Sequence, residues 1–291
     1  MPPIARGWTI ADVQRLYPQA NGHALITEGD GSAVFFKAGF TAPSGEFSRL
    51  ETFGTGWRRR YPDSTKVVFN SLGLMTDVYD RFNNRTQFFY DGSNRLTTVR
   101  DPQGLDLILA YGSFGLASIR DNITPFRSTN VTVPSNRTLT SIVDPDGVGT
   151  TFQYDGNLRL WKVTNRRGAT TTLAYQVING KVTGKVASVT APPVTVLDTG
   201  TIKTVSLVTA LAPWQTVGVP YSATSGTPSD SVRPDTVYGR VTDPNGHTTR
   251  FSVNRWGEPV RTTNALGQTS TVTYDANGLA TAAVGPTGRQ G

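Results

Sequence analysis

The sequence predicts an all-β protein built as an array of antiparallel β-hairpins, on three observations. A tyrosine, or a residue standing in its place, recurs at 21-residue steps: Phe69 to Tyr90 to Tyr111, Tyr154 to Tyr175, and Val253 to Tyr274. A turn sequence of the Asp-Pro-x-Gly type keeps step with it, as Asp101 to Gly104, Asp144 to Gly147, Asn165 to Gly168, Asp243 to Gly246 and Asn264 to Gly267. Apolar residues alternate with polar ones before the tyrosine, as in Leu105, Leu107, Leu109 and Tyr111, which is the period of a strand with one apolar face. Self-similarity at a fixed step marks units that bury their apolar faces only against their neighbours.

The lead-in, residues 1–68, reads as divergent hairpins continuous with the array. His23 to Phe36 is strand, Gly29-Asp30-Gly31 turn and strand; Gly56 to Tyr61 passes through Pro62 to Thr65 into Lys66 to Phe69. Repeats follow over 69–191. Where an Asp follows the tyrosine (Asp91, Asp155 and, in the later repeats, Asp275), it supplies a short side chain that bonds nearby backbone and starts a turn. Leu96 to Val99 then gives a β-branched strand, and Asp101 to Gly104 turns it back, Pro102 fixing φ and Gly104 accepting a positive φ. Leu96 and Val99 stand three apart, so either a bulge intervenes or both faces are partly covered. Equal spacing places the tyrosines at equivalent points of successive hairpins, where they are expected to pack as a ladder.

Two stretches break the period. Residues 122–137 interrupt one unit, and residues 192–235, rich in Pro, Thr, Ser and Gly, form a longer insertion read as a surface excursion with an extra hairpin. Repeats resume over 236–291, the last without a return strand, so the chain is expected to be a piece of a longer protein. Its first residues have neither the basic nor the apolar region of a signal peptide.

Composition agrees with many short strands. There are 30 Gly, 18 Pro and no Cys among 291 residues, which excludes disulfides and cysteine-ligated metals. No stretch approaches the roughly 18 apolar residues of a membrane helix. His23 and His247 are the only histidines, without a second ligand or base at a matching spacing. No catalytic, cofactor or metal site is expected. The net charge of +7 comes mostly from scattered arginines, and no specific nucleic-acid contact is expected. Arg58, Arg59 and Arg60, between Trp57 and Tyr61, form the one basic aromatic cluster and the candidate polyanion contact.

Residues 90–104, Tyr-Asp-Gly-Ser-Asn-Arg-Leu-Thr-Thr-Val-Arg-Asp-Pro-Gln-Gly, closely resemble the repeat of RHS (YD-repeat) proteins, and Gly7 to Ile10 through Gly29 to Ser32 resembles the lead-in of their large bacterial members. The first unit departs in Arg81-Phe82-Asn83, Tyr175 is followed by Gln176, and Val253 replaces a tyrosine. The resemblance implies a long sheet spiralling into a hollow shell that encloses a C-terminal toxin. It implies for this chain a non-catalytic shell segment of a secreted or cell-surface protein, partnered by a C-terminal effector domain of the same polypeptide. The alternative it leaves is an adhesion or carbohydrate-binding module facing glycans or a target-cell surface.

Overall fold

Short β-branched and aromatic runs, each closed by an Asp, Asn or Gly turn, can pair only with the run before and the run after, and the chain folds as that meander. The structure is a computed structural model that describes residues 4–43, 45–178, 180–198, 201–213, 236–254, 258–275 and 279–287. Two compact units form, one from the described residues up to Gly149 and one from Thr150 onward. No α-helix occurs among the described residues, and no helix is long and apolar enough to cross a membrane.

The first unit holds two sheets. β1 (Arg15–Pro18), β2 (Ala24–Thr27) and β3 (Ala33–Phe36) make a small antiparallel sheet of their own. A longer meander then runs through β4 (Arg49–Phe53), β5 (Gly56–Arg60), β6 (Lys66–Phe69), β7 (Met75–Tyr79), β8 (Arg85–Tyr90), β9 (Leu96–Arg100), β10 (Asp106–Tyr111), β11 (Leu116–Asp121), β12 (Ser128–Thr132) and β13 (Ser141–Val143). Each strand pairs antiparallel with the next.

The second unit repeats the plan with β14 (Gly149–Tyr154), β15 (Leu160–Thr164), β16 (Thr170–Ile178), β17 (Lys181–Asp198), β18 (Thr201–Pro213), β19 (Thr236–Thr242), β20 (Thr248–Asn254), β21 (Pro259–Thr263), β22 (Thr269–Tyr274) and β23 (Ala280–Val284). Consecutive strands are again antiparallel neighbours.

The lead-in differs from its reading as hairpins continuous with the array. Its first hairpin belongs to the separate β1–β3 sheet, and β4, β5 and β6 join the meander. Backbone bonds lay the N-terminal segment across the tyrosine-side turns: the Leu16 N–H donates to Gly73 O at 3.0 Å, Leu116 N–H to Ile4 O at 2.9 Å and Arg6 N–H to Arg137 O at 2.6 Å. Both interruptions supply strands. Residues 128–132 are β12, paired on both sides, so the 122–137 insertion is woven into the sheet. The 192–235 insertion begins inside β17, which pairs with β18 from Ser188↔Ala210 to Asp198↔Thr201; the rest of it, from Trp214 on, lies outside the described residues.

Burial concentrates where the N-terminal segment covers the meander. Leu16, Ile26 and Phe36 of the small sheet are buried, as are Phe69, Leu74, Met75, Leu96 and Leu116 beside the tyrosine-side turns. The apolar stripe of β10 is therefore graded: Leu109, near Tyr111, is 4 % exposed, whereas Leu107, nearer the Asp101 turn, is 44 % exposed.

Gly73 joins the two sheets of this unit. Its φ is +72°, and a Cβ there would collide with the Leu16 carbonyl. Gly104 has φ +88° with open space around it. Gly104→Ala should therefore cost about 1 kcal/mol, the left-handed backbone alone, and Gly73→Ala clearly more, because the N-terminal sheet must also shift. Chemical denaturation of the two variants checks the order; equal losses would contradict the docking role of Gly73.

Candidate functional site

The repeated site is a turn, a bulge and a tyrosine. Asp91 Oδ1 accepts the backbone N–H of Ser93 and of Arg95, each at 2.9 Å. Asp155 Oδ1 accepts those of Asn157 and Arg159 at 2.9 Å, and Asp275 Oδ1 accepts that of Leu279 at 2.9 Å. The turns at the other end of the hairpins are built alike. Asp101 Oδ1 takes the N–H of Gln103 and Leu105 at 2.8 Å, and Asp243 Oδ1 those of Asn245 and His247 at 2.9 Å. Asn165 and Asn264 serve the turns ending at Gly168 and Gly267 with the same two bonds. At Asp144 the backbone closes identically, the Gly147 N–H donating to its carbonyl at 2.9 Å.

Among the described residues, the residue three after the Asp or Asn takes a positive φ: Asn94 60°, Gly104 88°, Gly147 79°, Leu158 61°, Gly246 85°. Glycine and asparagine accept this conformation readily; Leu158 does so at a steric cost of about 1–2 kcal/mol. Two turn classes that look different in sequence are thus one loop.

A β-bulge sits at every tyrosine position. Register shifts fall between Phe89 and Tyr90, Ala110 and Tyr111, Gln153 and Tyr154, Ala174 and Tyr175, and Thr273 and Tyr274. Tyr90 opposes Leu96, and Phe88 opposes Val99. Phe88 and Tyr90 share a face, so Leu96 and Val99 do too, and the open question about their spacing resolves as a bulge at Thr97.

Four of these hydroxyls, those of Tyr90, Tyr111, Tyr175 and Tyr274, then reach back across the sheet. Tyr90 Oη donates to Met75 O at 2.7 Å, Tyr111 Oη to Leu96 O at 2.9 Å, Tyr175 Oη to Leu160 O at 2.5 Å and Tyr274 Oη to Pro259 O at 3.0 Å. The accepting residue opens the preceding strand and is itself opposite the preceding tyrosine position: Met75 opposes Phe69, Leu96 Tyr90, Leu160 Tyr154 and Pro259 Val253. The rings are half-buried, and burial pushes the hydroxyls of Tyr90, Tyr111 and Tyr175 above the usual phenol range.

Arginine completes the unit. The Arg95 Nε donates to Asp91 Oδ2 at 2.7 Å, which holds the guanidinium 4.8 Å from the centroid of the Tyr111 ring. Arg159 repeats this with Asp155 Oδ2 at 2.8 Å and the Tyr175 ring at 5.2 Å. The cations lie within the range of a cation–π contact.

The triple arginine does not offer a polyanion three cations. Arg59 is 2 % exposed; its Nη1 meets Glu28 Oε1 at 2.5 Å, its Nη2 Glu46 Oε2 at 3.1 Å, and its Nε Ser48 Oγ at 2.7 Å. Arg58 and Arg60 share Glu51. Buried guanidinium needs such pairing, so Arg59 is removed from the candidate contact. His247 Nδ1 lies 3.1 Å from Asp243 Oδ2 within its own turn, and His23 stacks on Phe35 at 5.3 Å. Among the described residues no group of three His, Cys, Asp or Glu is placed to hold a metal ion.

Residues 69–105 match the RHS repeat family. This stretch of the chain carries the RHS repeat. Its Asn70 and Asp91 turns, the Tyr90 bulge and the Arg95 clamp lie within or at the edge of that match, and the same geometry recurs in the second unit. No curated protein matches the chain.

Solved structures that are similar include a crystal structure of TcdB2-TccC3-Cdc42, at 10 % identity and TM-score 0.26, covering 92 % of this chain and 19 % of that one. Another is the Photorhabdus luminescens Tc holotoxin pore with the TccC3 mutation D651A, at 11 % identity and TM-score 0.25, covering 92 % of this chain and 19 % of that one. A third is a porin-like protein from Bacteroides uniformis, at 15 % identity and TM-score 0.28, covering 68 % of this chain and 96 % of that one. The chain spans about a fifth of the length of the TccC3-containing structures.

Tyr111→Phe should lower stability by about 1 kcal/mol, the net worth of one hydrogen bond, with Leu96 O left short of a partner. Urea unfolding measures it; a loss within error of zero would mean the hydroxyl does not tie the hairpins.

The carboxyls of Asp91, Asp155 and Asp243 are held below the usual aspartate value, first by the backbone N–H groups of Arg95, Arg159 and His247. A lowered folded value adds stability that is present above the unfolded value near 3.9 and is lost as pH falls through the folded one. The melting temperature should therefore drop below about pH 4, and Asp91→Asn should shrink the drop without unfolding the protein at pH 7, because Asn already serves this turn at Asn165 and Asn264. Calorimetry from pH 7 to 3 tests both.

Proposed function

We propose that the chain is a wall segment of a larger secreted RHS-type protein, non-catalytic in itself, that encloses or presents an effector domain carried C-terminally on the same polypeptide. The observation that carries this reading is the recurrence of the Tyr-to-carbonyl bond in both units, which extends the RHS repeat beyond residues 69–105 to Tyr175 and Tyr274. A wall needs repeat-to-repeat bonding that does not depend on a particular site, and a backbone carbonyl is such an acceptor. Secretion and a C-terminal cargo are what the family resemblance adds.

The test is to recover the natural protein from culture with antibodies against this chain and follow limited proteolysis. A secreted species whose downstream domain resists protease as long as the repeats stay folded supports the reading. A downstream domain cut as fast as free linker, or a protein retained in the cytoplasm, overturns it.

A second reading, recognition of a target-cell surface, draws on the β17–β18 hairpin, whose tip residues Leu197 and Ile202 are each 73 % exposed. Leu197→Ser with Ile202→Ser should then abolish binding of the labelled protein to cells; unchanged binding removes this reading.

A further inference from the structure

The turn after Tyr111 lacks the oxygen that builds the turns after Phe69, Tyr90, Tyr154 and Tyr274. Gly112 stands after Tyr111 where Asn70, Asp91, Asp155 and Asp275 follow their repeat position. The loop is tighter, Gly112 N–H donating to Gly115 O at 2.9 Å, and no side-chain carboxylate or amide at its first position accepts its N–H groups. A Cβ at Gly115 would collide with the carbonyl of Ile4, so the N-terminal segment approaches closely here and brings Arg6 with it.

The result is a cavity of about 460 Å³ into which three arginines, Arg6, Arg95 and Arg137, contribute, with no Asp or Glu among its lining residues. That volume is in the range of small-molecule sites. Arg95 is held by Asp91, while Arg6 and Arg137 have no carboxylate partner among the described residues. Phe114, on the wall of the same cavity, is 45 % exposed and offers a flat apolar face.

The equivalent arginine of the second unit shows what such a guanidinium takes when the chain supplies it. Arg159 Nη1 donates to Val182 O at 3.1 Å and Thr183 O at 3.2 Å, acceptors that β17 brings over it. For Arg95 the corresponding space is the cavity.

We propose that this cavity binds an organic oxyanion, a phosphate or sulfate monoester on a sugar-sized ring. The oxyanion would lie among Arg6, Arg95 and Arg137, in the fork geometry that guanidinium offers such groups, and the ring would lie against Phe114. This site is independent of the wall role: the wall needs the tyrosine bonds, and the cavity needs the Gly112 turn, which departs from the repeat.

Calorimetric titration of the intact chain at low salt with N-acetylglucosamine 6-phosphate, its 6-sulfate, the neutral sugar and inorganic sulfate tests it. Saturable binding of one or both esters is expected, at least about tenfold tighter than inorganic sulfate and weakened by salt; the tighter ester identifies the oxyanion, and the neutral sugar should not bind. Arg137→Ala should weaken ester binding by about tenfold or more, the scale of one charge-assisted bond. Gly112→Asp, at a position with only ordinary contacts around its Cβ, supplies the missing carboxylate from the chain itself and should abolish binding without lowering the melting temperature. Arg159→Ala should leave binding intact. No saturable binding of either ester, ester binding no tighter than inorganic sulfate, or undiminished binding in folded Arg137→Ala and Gly112→Asp would each overturn the proposal.

Discussion

The fold depends on a hydroxyl that bridges the gap left where the ladder between successive hairpins stops short. Where a tyrosine follows, the ladder between two hairpins is short: β7 and β8 register from Asp77↔Gln87 to Tyr79↔Arg85, β9 and β10 from Thr98↔Ile108 to Arg100↔Asp106, β15 and β16 from Lys162↔Thr172 to Thr164↔Thr170, and β21 and β22 from Arg261↔Thr271 to Thr263↔Thr269. In each, pairing stops before the tyrosine-side turns. The Tyr side chain crosses that opening and bonds the first carbonyl of the strand beyond. A bulge increases local twist, so a closed ladder at one end and a side-chain bridge at the other let successive hairpins diverge without leaving a backbone acceptor unsatisfied.

The turns make this repeatable. Apart from the tighter Gly112 loop, one loop serves both ends of the hairpin, and its Asp or Asn is satisfied within the loop, so these turns need no partner from elsewhere. Only the residues next in line are free to specialise. At the tyrosine end Arg95 and Arg159 fold back on Asp91 and Asp155 and cover the next ring. At the other end the flanking positions pair across the strands, as Arg100 with Asp106 or as the hydroxyls of Thr164 with Thr170, Thr242 with Thr248 and Thr263 with Thr269. Exposed ion pairs contribute roughly 0–1 kcal/mol; what these arginines add is orientation over an aromatic face.

Much of this was legible because it is local. The tyrosine step, the turn residues and the alternation before Tyr111 are all within one repeat, and they locate the strands from β6 to β11 and from β14 to β16. The bulge also left a mark, the three-residue spacing of Leu96 and Val99, but only the partner strand decides between its two readings. What was not legible is non-local. Arg59 looks like part of a basic patch because its neighbours are arginines, whereas its partners Glu28 and Glu46 come from distant sequence. The separate β1–β3 sheet depends on Gly73 accepting Leu16, and β12 became a strand because β11 and β13 left room for it. The arginine cavity had a signal in plain sight, Gly112 in place of an Asp, yet its meaning required Arg6 and Arg137 to be brought beside it.

Val253 tests whether the tyrosine is an ornament of the repeat or a structural necessity. It occupies a tyrosine position without a hydroxyl, and its hairpin should fall open if the bridge were needed regardless of context. Instead the ladder between β19 and β20 runs unbroken from Thr236↔Asn254 to Thr242↔Thr248, with Val237 directly opposite Val253. Backbone bonds continue to the tyrosine-side end, so there is no opening to span, and a β-branched residue suits a strand paired along its whole length better than a long ring that bridges a gap. The two arrangements are alternatives: a short ladder with a hydroxyl bridge, or a full ladder with a β-branched residue at the tyrosine position. The substitution that looks like decay of the repeat in sequence is matched by a change in pairing, and the continuity of the array is held by whichever of the two the strand length permits.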